Sequence, residues 1–339
     1  MGGVFLFKLI NMKYLKKFNE SSEYDAFKSS ENYILPNVSW IVASDTVMYG
    51  ISKTEEGDYK VILVSKKDIS GLTYNEVDLG LPSGRKWADR NVGAKSVDDY
   101  GTYFAWGETS GFTYEGAKNV TAEQLCSMLQ TLIGAEMELT PDNIDAVLAE
   151  MGIEGTDLSV LGVGFTSEKA FSSDWSDYFD TTDGGKTFNK YDKGKLTVLE
   201  ASDDAARANM GSDWRIPTQT EMQELIDNTT PTFIDLQGNE FSQSEANNDA
   251  IAEYNLKGVK FTSKNNSNSI FIPASGHCNV STFGYAGHCG YLWTSSLDSG
   301  NSRGARSLNF NYDGDLNIGV DRRYFGQPVR ACTTNNNPC

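Results

Sequence analysis

Histidine is nearly missing from this chain, with two in 339 residues, and lysine stops altogether after position 264. The two histidines, His277 and His288, leave few candidates for proton transfer near neutral pH, which points away from an enzyme. No run of 18 or more apolar residues occurs, and Met1 to Ile10 is interrupted by Lys8, so no membrane insertion is expected. Met1 to Asn11 lacks the order and length of a secretory signal, and Met12, followed by Lys13, is the expected start. Basic residues are scarce beside acidic ones, 29 against 46, and the net charge of −17 repels phosphate backbones, so nucleic acid is not an expected partner. No nucleotide loop, zinc-protease motif or serine elbow is present.

Cysteine is sparse as well. The five, Cys126, Cys278, Cys289, Cys332 and Cys339, are odd in number and scattered, which reads as reduced thiols and not as a disulfide framework. Gly-His-Cys occurs twice, at 276–278 and 287–289, and could supply four zinc ligands. Adjacent His and Cys point to opposite faces of an extended strand, so neither a metal nor another cofactor is expected.

What is present organises into two units. Leu15, Phe18, Tyr24 and Phe27 have helical spacing within 13–31, and three β-rich runs follow, at 38–42, 46–49 and 59–64. Residues 1–72 are thus expected to form a small β-rich domain suited to attachment and oligomerisation. Residues 73–339 open on a strand ending in a Pro/Gly turn, then place Trp87, Tyr100, Tyr103, Phe104 and Trp106 within twenty residues. Such density predicts a ring-packed core more readily than sugar stacking. A helical insertion is expected at 112–190, where Thr121 to Gln124 is a capping box. A second helix is expected from Thr140 and Pro141 to Gly152, with an exit turn at 180–185. Thr218 and Glu221 cap another helix. A hairpin is expected around Asp313-Gly314, with Leu308 and Phe310 alternating against Asn309 and Asn311. The fold class is α+β.

Lys, Glu, Gln, Met and Trp number 20, 20, 7, 8 and 6 in the chain, 61 together, yet in the 62 residues 265–326 only Trp293 appears. The other 277 residues hold 60, so about 13 would be expected there at the same rate. None of the five is encoded by a codon ending in a pyrimidine. Asn codons randomised at their adenines would yield the set found at 301–325, namely Asn, Ser, Gly, Asp, Tyr, Arg, Phe, Leu, Val and Ile with a lone Ala. A turn-rich β segment also disfavours Lys and Glu. That explains less well why five of nine arginines lie at 303–330 while all 20 lysines precede 265. Arg303, Arg306 and Arg322 with Asp313, Asp315, Asp321, Tyr312 and Phe325 make a mixture suited to an adaptable recognition face.

Glu76-Val77-Asp78-Leu79-Gly80-Leu81-Pro82-Ser83-Gly84-Arg85-Lys86-Trp87-Ala88, Tyr103-Phe104-Ala105-Trp106-Gly107-Glu108, Trp214-Arg215-Ile216-Pro217-Thr218, Gly290 to Ser296 and Val329-Arg330 form a specific motif string. Over 73–332 it resembles the paralogous Fibrobacter/Bacteroidetes domain family, which has a C-type-lectin-like (formylglycine-generating-enzyme-like) fold. Members with a hypervariable C-terminal segment resemble the variable proteins of diversity-generating retroelements, which serve phages as tail receptor-binding proteins. The resemblance implies a variable ligand-binding region at 265–332. It puts Arg303, Arg306, Asn309, Asn311, Asp313, Asn317, Gly319, Asp321, Arg322 and Phe325 on the binding surface, with His277, Tyr285 and His288 as neighbours. The start, Met12 to Asn19 with Leu35 to Ser39, resembles virion or prophage proteins of gut bacteria.

The function expected is therefore host attachment by a non-enzymatic receptor-binding protein. Its partners would be a cell-surface glycan or protein receptor and, through the N-terminal domain, virion or other structural proteins. A homo-oligomer, a trimer being one form, is expected, placed on a phage tail or at a cell surface. The alternatives are a host-encoded lectin-like adhesin, or an oxidase of the formylglycine-generating type with a copper-binding pair drawn from Cys278, Cys289 and Cys332. The Glu-Pro-Asn triplet of calcium-dependent sugar binding is absent.

Overall fold

The computed structural model describes residues 39–154 and 190–334, apart from 45–46, 55, 66–67, 134–137, 152, 193, 249, 253 and 279–282. The helix expected at 13–31, the turn at 180–185 and Cys339 lie outside the described residues.

Strands β1 (Ser39–Ser44), β2 (Val47–Lys53) and β3 (Tyr59–Ser65) form an antiparallel meander, as the three β-rich runs predict. Strands β4 (Glu76–Asp78), β5 (Lys86–Ala88) and β6 (Thr102–Tyr103) come next in the chain. The following segment departs from expectation. Residues 112–120, assigned to a helical insertion, form the nine-residue strand β7 (Phe112–Val120), which pairs along all of β3. Helices α1 (Ala122–Ile133) and α2 (Ile144–Met151) and the short strand β8 (Ile153–Glu154) follow, and β8 pairs with β1. Leu125, Leu129, Ile144 and Leu148 of the helices share one buried cluster with Tyr49, Ile51, Val61 and Leu63. The physical reason is edge satisfaction: β3 leaves a row of unpaired amides and an apolar face, and β7 with its two helices covers both. Residues 39–65 and 112–154 therefore share one core, where a boundary at 72 had been expected.

The caps behave as their residue types dictate. Thr121 accepts from the Gln124 N–H, and the Gln124 side chain accepts from the Thr121 N–H. At the second helix Asn143 Oδ1 takes the Thr140 N–H, and the Thr140 carbonyl accepts from the Asn143 and Ile144 N–H groups, so 141–143 form the turn that leads into α2 at Ile144.

Beyond residue 190 come α3 (Ala205–Met210), β9 (Trp214–Arg215) and α4 (Gln219–Asn228). Helix α4 carries the predicted Thr218–Glu221 capping box, with Met222 and Leu225 buried. Strands β10 (Thr229–Asp235) and β11 (Glu240–Ser242), helix α5 (Gln243–Ala246), and strands β12 (Leu256–Ser263) and β13 (Ser269–Pro273) complete a four-stranded antiparallel sheet. A five-stranded sheet follows from β14 (Ser275–Cys278), β15 (Phe283–Ala286), β16 (Cys289–Leu297), β17 (Gly304–Asn311) and β18 (Leu316–Arg322), in the order β15-β14-β16-β17-β18. The last strand, β19 (Cys332–Thr333), returns to sit between β5 and β9. The architecture is α+β and rich in sheet.

The ring-packed core is present. Trp87, Tyr103, Phe104, Trp106 and Trp293 are buried. Trp293 Nε1 donates to the Phe104 carbonyl at 2.8 Å and Trp106 Nε1 to the Thr294 carbonyl at 2.8 Å, so the two indoles clamp 104–106 to β16. Gly290 lies flat beneath Phe310: a Cβ there would stand 2.0 Å from the ring. Gly290→Ala is accordingly expected to destabilise by about 1–3 kcal/mol through overpacking, measurable by urea unfolding.

Candidate functional site

The sheet β16-β17-β18 has two unlike faces. Registers Leu292↔Leu308↔Ile318 and Gly290↔Phe310↔Leu316 put one face against the core, where Leu308 and Phe310 are buried and Leu316 and Ile318 half-buried. The opposite face carries Tyr291, Ser307, Asn309, Asn311, Asn317, Gly319 and Asp321, since side chains alternate along each strand. Of the 25 residues 301–325, eight are buried, 11 half-buried and six exposed, so this segment is not sealed inside the core.

Ser307 sits at the floor of that polar face, its one hydroxyl hydrogen shared between Asp321 Oδ2 at 2.6 Å and Asn309 Oδ1 at 2.8 Å. Gln327 Nε2 also donates to Asp321, at 2.8 Å. The Asp321 carboxylate is therefore held in place, while Asn317, directly opposite Asn309, stays exposed.

An aromatic and imidazole strip adjoins this polar ladder. His277 stacks on Phe325 at 4.9 Å and on Tyr285 at 5.4 Å, with Tyr291 edge-on at 4.9 Å. His288 continues the strip through Tyr285, Tyr254 and Tyr312, the last at 4.6 Å. Tyr254 and Tyr285 both hold left-handed backbone, φ 61° and 67°, which a bulky side chain adopts at a cost of about 1–3 kcal/mol. The cost is met where two rings must turn toward the same histidine. Burial lowers the His277 pKa to about 4 even though Asp321 pulls it upward, so the ring is neutral and its Nδ1 has no partner among the described residues.

The thirteen residues expected at the site divide by placement. Asn309, Asn311, Asn317, Gly319 and Asp321 share the polar face, and His277, Tyr285, His288 and Phe325 make the strip. Asp313 is half-buried in the 311–315 turn, and Arg303 is exposed before β17. Arg306 does not join this face. It projects from the other side of β17 and pairs with Asp298 at 2.6 Å, because its position has the parity of Leu308. Arg322 shares that parity, is exposed, and donates to the Tyr324 hydroxyl. Gly319 leaves room over Asn309, whose amide nitrogen would lie 2.2 Å from a Cβ built there.

Sequence reasoning missed Tyr254, Tyr291, Tyr324 and Gln327 as parts of the site. Tyr254 precedes the lysine-free segment and reaches the strip only through the fold. Tyr291 was noted only within the motif run 290–296 and Gln327 was not singled out; the parity of Tyr291 with Asn309 across β16 and β17 is the signal that could have found it.

Cys126, Cys278, Cys289 and Cys332 are free and buried. Burial pushes Cys289 up to about 11 and Cys332 up to about 12, and raises Cys278 further, so these groups remain thiols. Cys289 Sγ lies 2.8 Å from His288 Nδ1, but among the described residues no three of His, Cys, Asp and Glu come together as a metal set. Compared with known proteins, the chain matches no family model, no curated sequence and no solved structure.

Proposed function

We propose that this chain is a non-enzymatic receptor-binding protein of C-type-lectin-like fold, its C-terminal face diversified by a retroelement, and that it serves attachment to host cells as part of a phage tail. The observation that carries this reading is the match between composition and placement. The segment restricted to residues with pyrimidine-ending codons supplies Asn309, Asn317, Asp321, Tyr285, His288 and Phe325, which are half-buried or exposed and gather around the buried ring of His277 from the same segment. Trp293 and Arg330, residues of the motif string on either side of 301–325, are instead buried. A return of β19 to β5, which ties the end of the domain to its beginning, agrees with the proposed fold.

The unit built from 39–65 and 112–154 is proposed to join the virion or another structural protein, and repeated copies make weak contacts effective through avidity. The receptor is a cell-surface glycan or protein. Planar rings supply area at small entropic cost, and the Asn and Asp side chains supply hydrogen bonds of either sense.

On a panel of cell-surface glycans and surface proteins, binding is expected to fall at least tenfold, about 1.4 kcal/mol, when Asn309→Ala and Asn317→Ala are combined. Unchanged affinity would move the site elsewhere. Diversification predicts a near-repeat of the 265–326 coding segment close by, differing at adenines and beside a reverse transcriptase gene. Absence of both favours a host-encoded adhesin without diversification.

A further inference from the structure

Strand β18 is the outermost strand of the five-stranded sheet, and its register against β17 runs unbroken from Gly304↔Arg322 to Phe310↔Leu316. Two backbone bonds fix its phase. The Asn311 N–H donates to the Asp315 carbonyl and the Arg323 N–H to the Arg303 carbonyl. Antiparallel pairs alternate, so Asn317, Gly319 and Asp321 turn their backbone groups toward β17, and Leu316, Ile318, Val320 and Arg322 turn theirs outward. In that outward row the Arg322 carbonyl accepts from the Phe325 N–H, and the described residues provide no other partner. Edges of this kind are ordinarily blunted by proline, charged side chains or a bulge; 316–322 has no proline, lysine or bulge, and its two charges, Asp321 and Arg322, are opposite in sign and sit together at one end. The Val320 side chain is 43% exposed beside this edge.

We infer that β18 is a docking edge for a second copy of this chain, the two strands pairing antiparallel about a two-fold axis at Gly319. One register pairs all seven residues with seven. It sets Leu316 against Arg322, Asn317 against Asp321 and Ile318 against Val320, each pair formed twice, with Gly319 facing Gly319. That register places the outward-turned residues opposite one another in the hydrogen-bonding phase. It brings apolar Ile318 beside Val320 and an amide donor beside a carboxylate, and no like charges are opposed. The absence of side chains at the axis suits the close approach of a non-hydrogen-bonded pair, about 4.5 Å between Cα atoms. Charge permits the approach here although the chain carries −17 overall: residues 301–325 hold four arginines against three aspartates. Because the contact is isologous, it consumes both edges and stops at two. Asn309, Asn317 and Asp321 of both copies then lie on one side of a continuous sheet, which doubles the polar face. The inference stands apart from the receptor-binding reading, since its test needs no ligand.

The test is the mass of the full-length protein by sedimentation across a concentration series, for the wild type, Val320→Pro and Val320→Thr. Proline removes an outward N–H that the single chain does not use, so an edge strand tolerates it. The expected result is a twofold larger mass for wild type and Val320→Thr than for Val320→Pro, whatever the N-terminal unit adds to all three. Should Val320→Pro fail to fold, amide exchange of the wild type decides: exchange at 316–322 is expected to slow as concentration rises. Equal masses for wild type and a folded Val320→Pro, or exchange at 316–322 that ignores concentration, overturn the inference. So does growth without limit into fibres, or protection that appears only when an extended peptide is added.

Discussion

Replacing Arg330 by alanine is expected to lower stability by about 3–5 kcal/mol, read as a shift of the urea midpoint at constant slope. The guanidinium is 0% exposed, and among the described residues no carboxylate bonds to it, Asp89 acting on it only through its charge. Its Nε donates to Asn91 Oδ1 at 3.0 Å, Nη1 to the Ala88 carbonyl at 3.3 Å, and Nη2 to the Phe271 carbonyl at 2.7 Å. One side chain thus links β5, the loop after it and β13. Burial pulls its pKa down to about 9, still above neutrality, so the group stays charged and its donors stay committed. Alanine would leave three buried acceptors without donors and a void as well, two costs that add. Lysine, with one ammonium and no fork, is expected to recover only part of the loss. A change below about 1 kcal/mol for Arg330→Ala would show that water or a neighbour replaces the guanidinium.

Acid is expected to weaken the fold in two windows. His277 binds its proton at about 4 in the folded chain and at about 6.5 when unfolded, so between those values the unfolded chain takes up a proton that the folded one refuses. Stability therefore falls as pH drops from about 6.5 to 4, by roughly 3 kcal/mol in all. Glu221 acts lower. Burial alone would raise its pKa, but bonds from Arg215 and from the Thr218 N–H outweigh this and hold it at about 2, against 4.5 for an ordinary glutamate. The stabilisation it gives is complete above 4.5 and is lost as pH falls toward 2, again roughly 3 kcal/mol. Arg85 Nε also donates to this carboxylate, at 2.6 Å, so the loss also loosens the contact of α4 with the turn that leads into β5. Unfolding curves at pH 7, 5 and 3 measure both steps. His277→Phe is expected to flatten the first step and leave the second; an unaltered slope between 6.5 and 4 would refute the assignment.

Much of the local structure was legible because it depends on near neighbours. The Thr121–Gln124 and Thr218–Glu221 boxes, the alternation of Leu308 and Phe310 with Asn309 and Asn311, and the Asp313-Gly314 turn each reflect contacts within a few residues. What failed was long-range. Nothing within 112–120 announces that it will pair with 59–65, since its Gly116 and Lys118 interrupt the β pattern and the partner lies some fifty residues upstream. The division of labour among arginines was equally hidden. Arg306 and Asn309 look alike as polar residues in one strand, yet strand parity sends them to opposite sides of the sheet. The strip around His277 was half visible, because 277, 285, 288 and 325 were singled out within the restricted segment, while Tyr254 lies before it and Tyr291 was noted only within the motif run 290–296.

The placement of β19 has a consequence for how the chain is made. Strand β5 has β4 on one edge from the start, but its other edge gains a partner only when Cys332 arrives, 245 residues after Trp87 has left the ribosome, which at about 5–20 residues per second is a wait of roughly 12–50 s. Through that interval the first indole of the domain has an open side, and Arg330 has yet to meet Asn91, Ala88 and Phe271. Folding of this domain is thus completed after translation of its final strand, and a chain cut short anywhere in the last ten described residues would expose the flaw at once to proteases and chaperones.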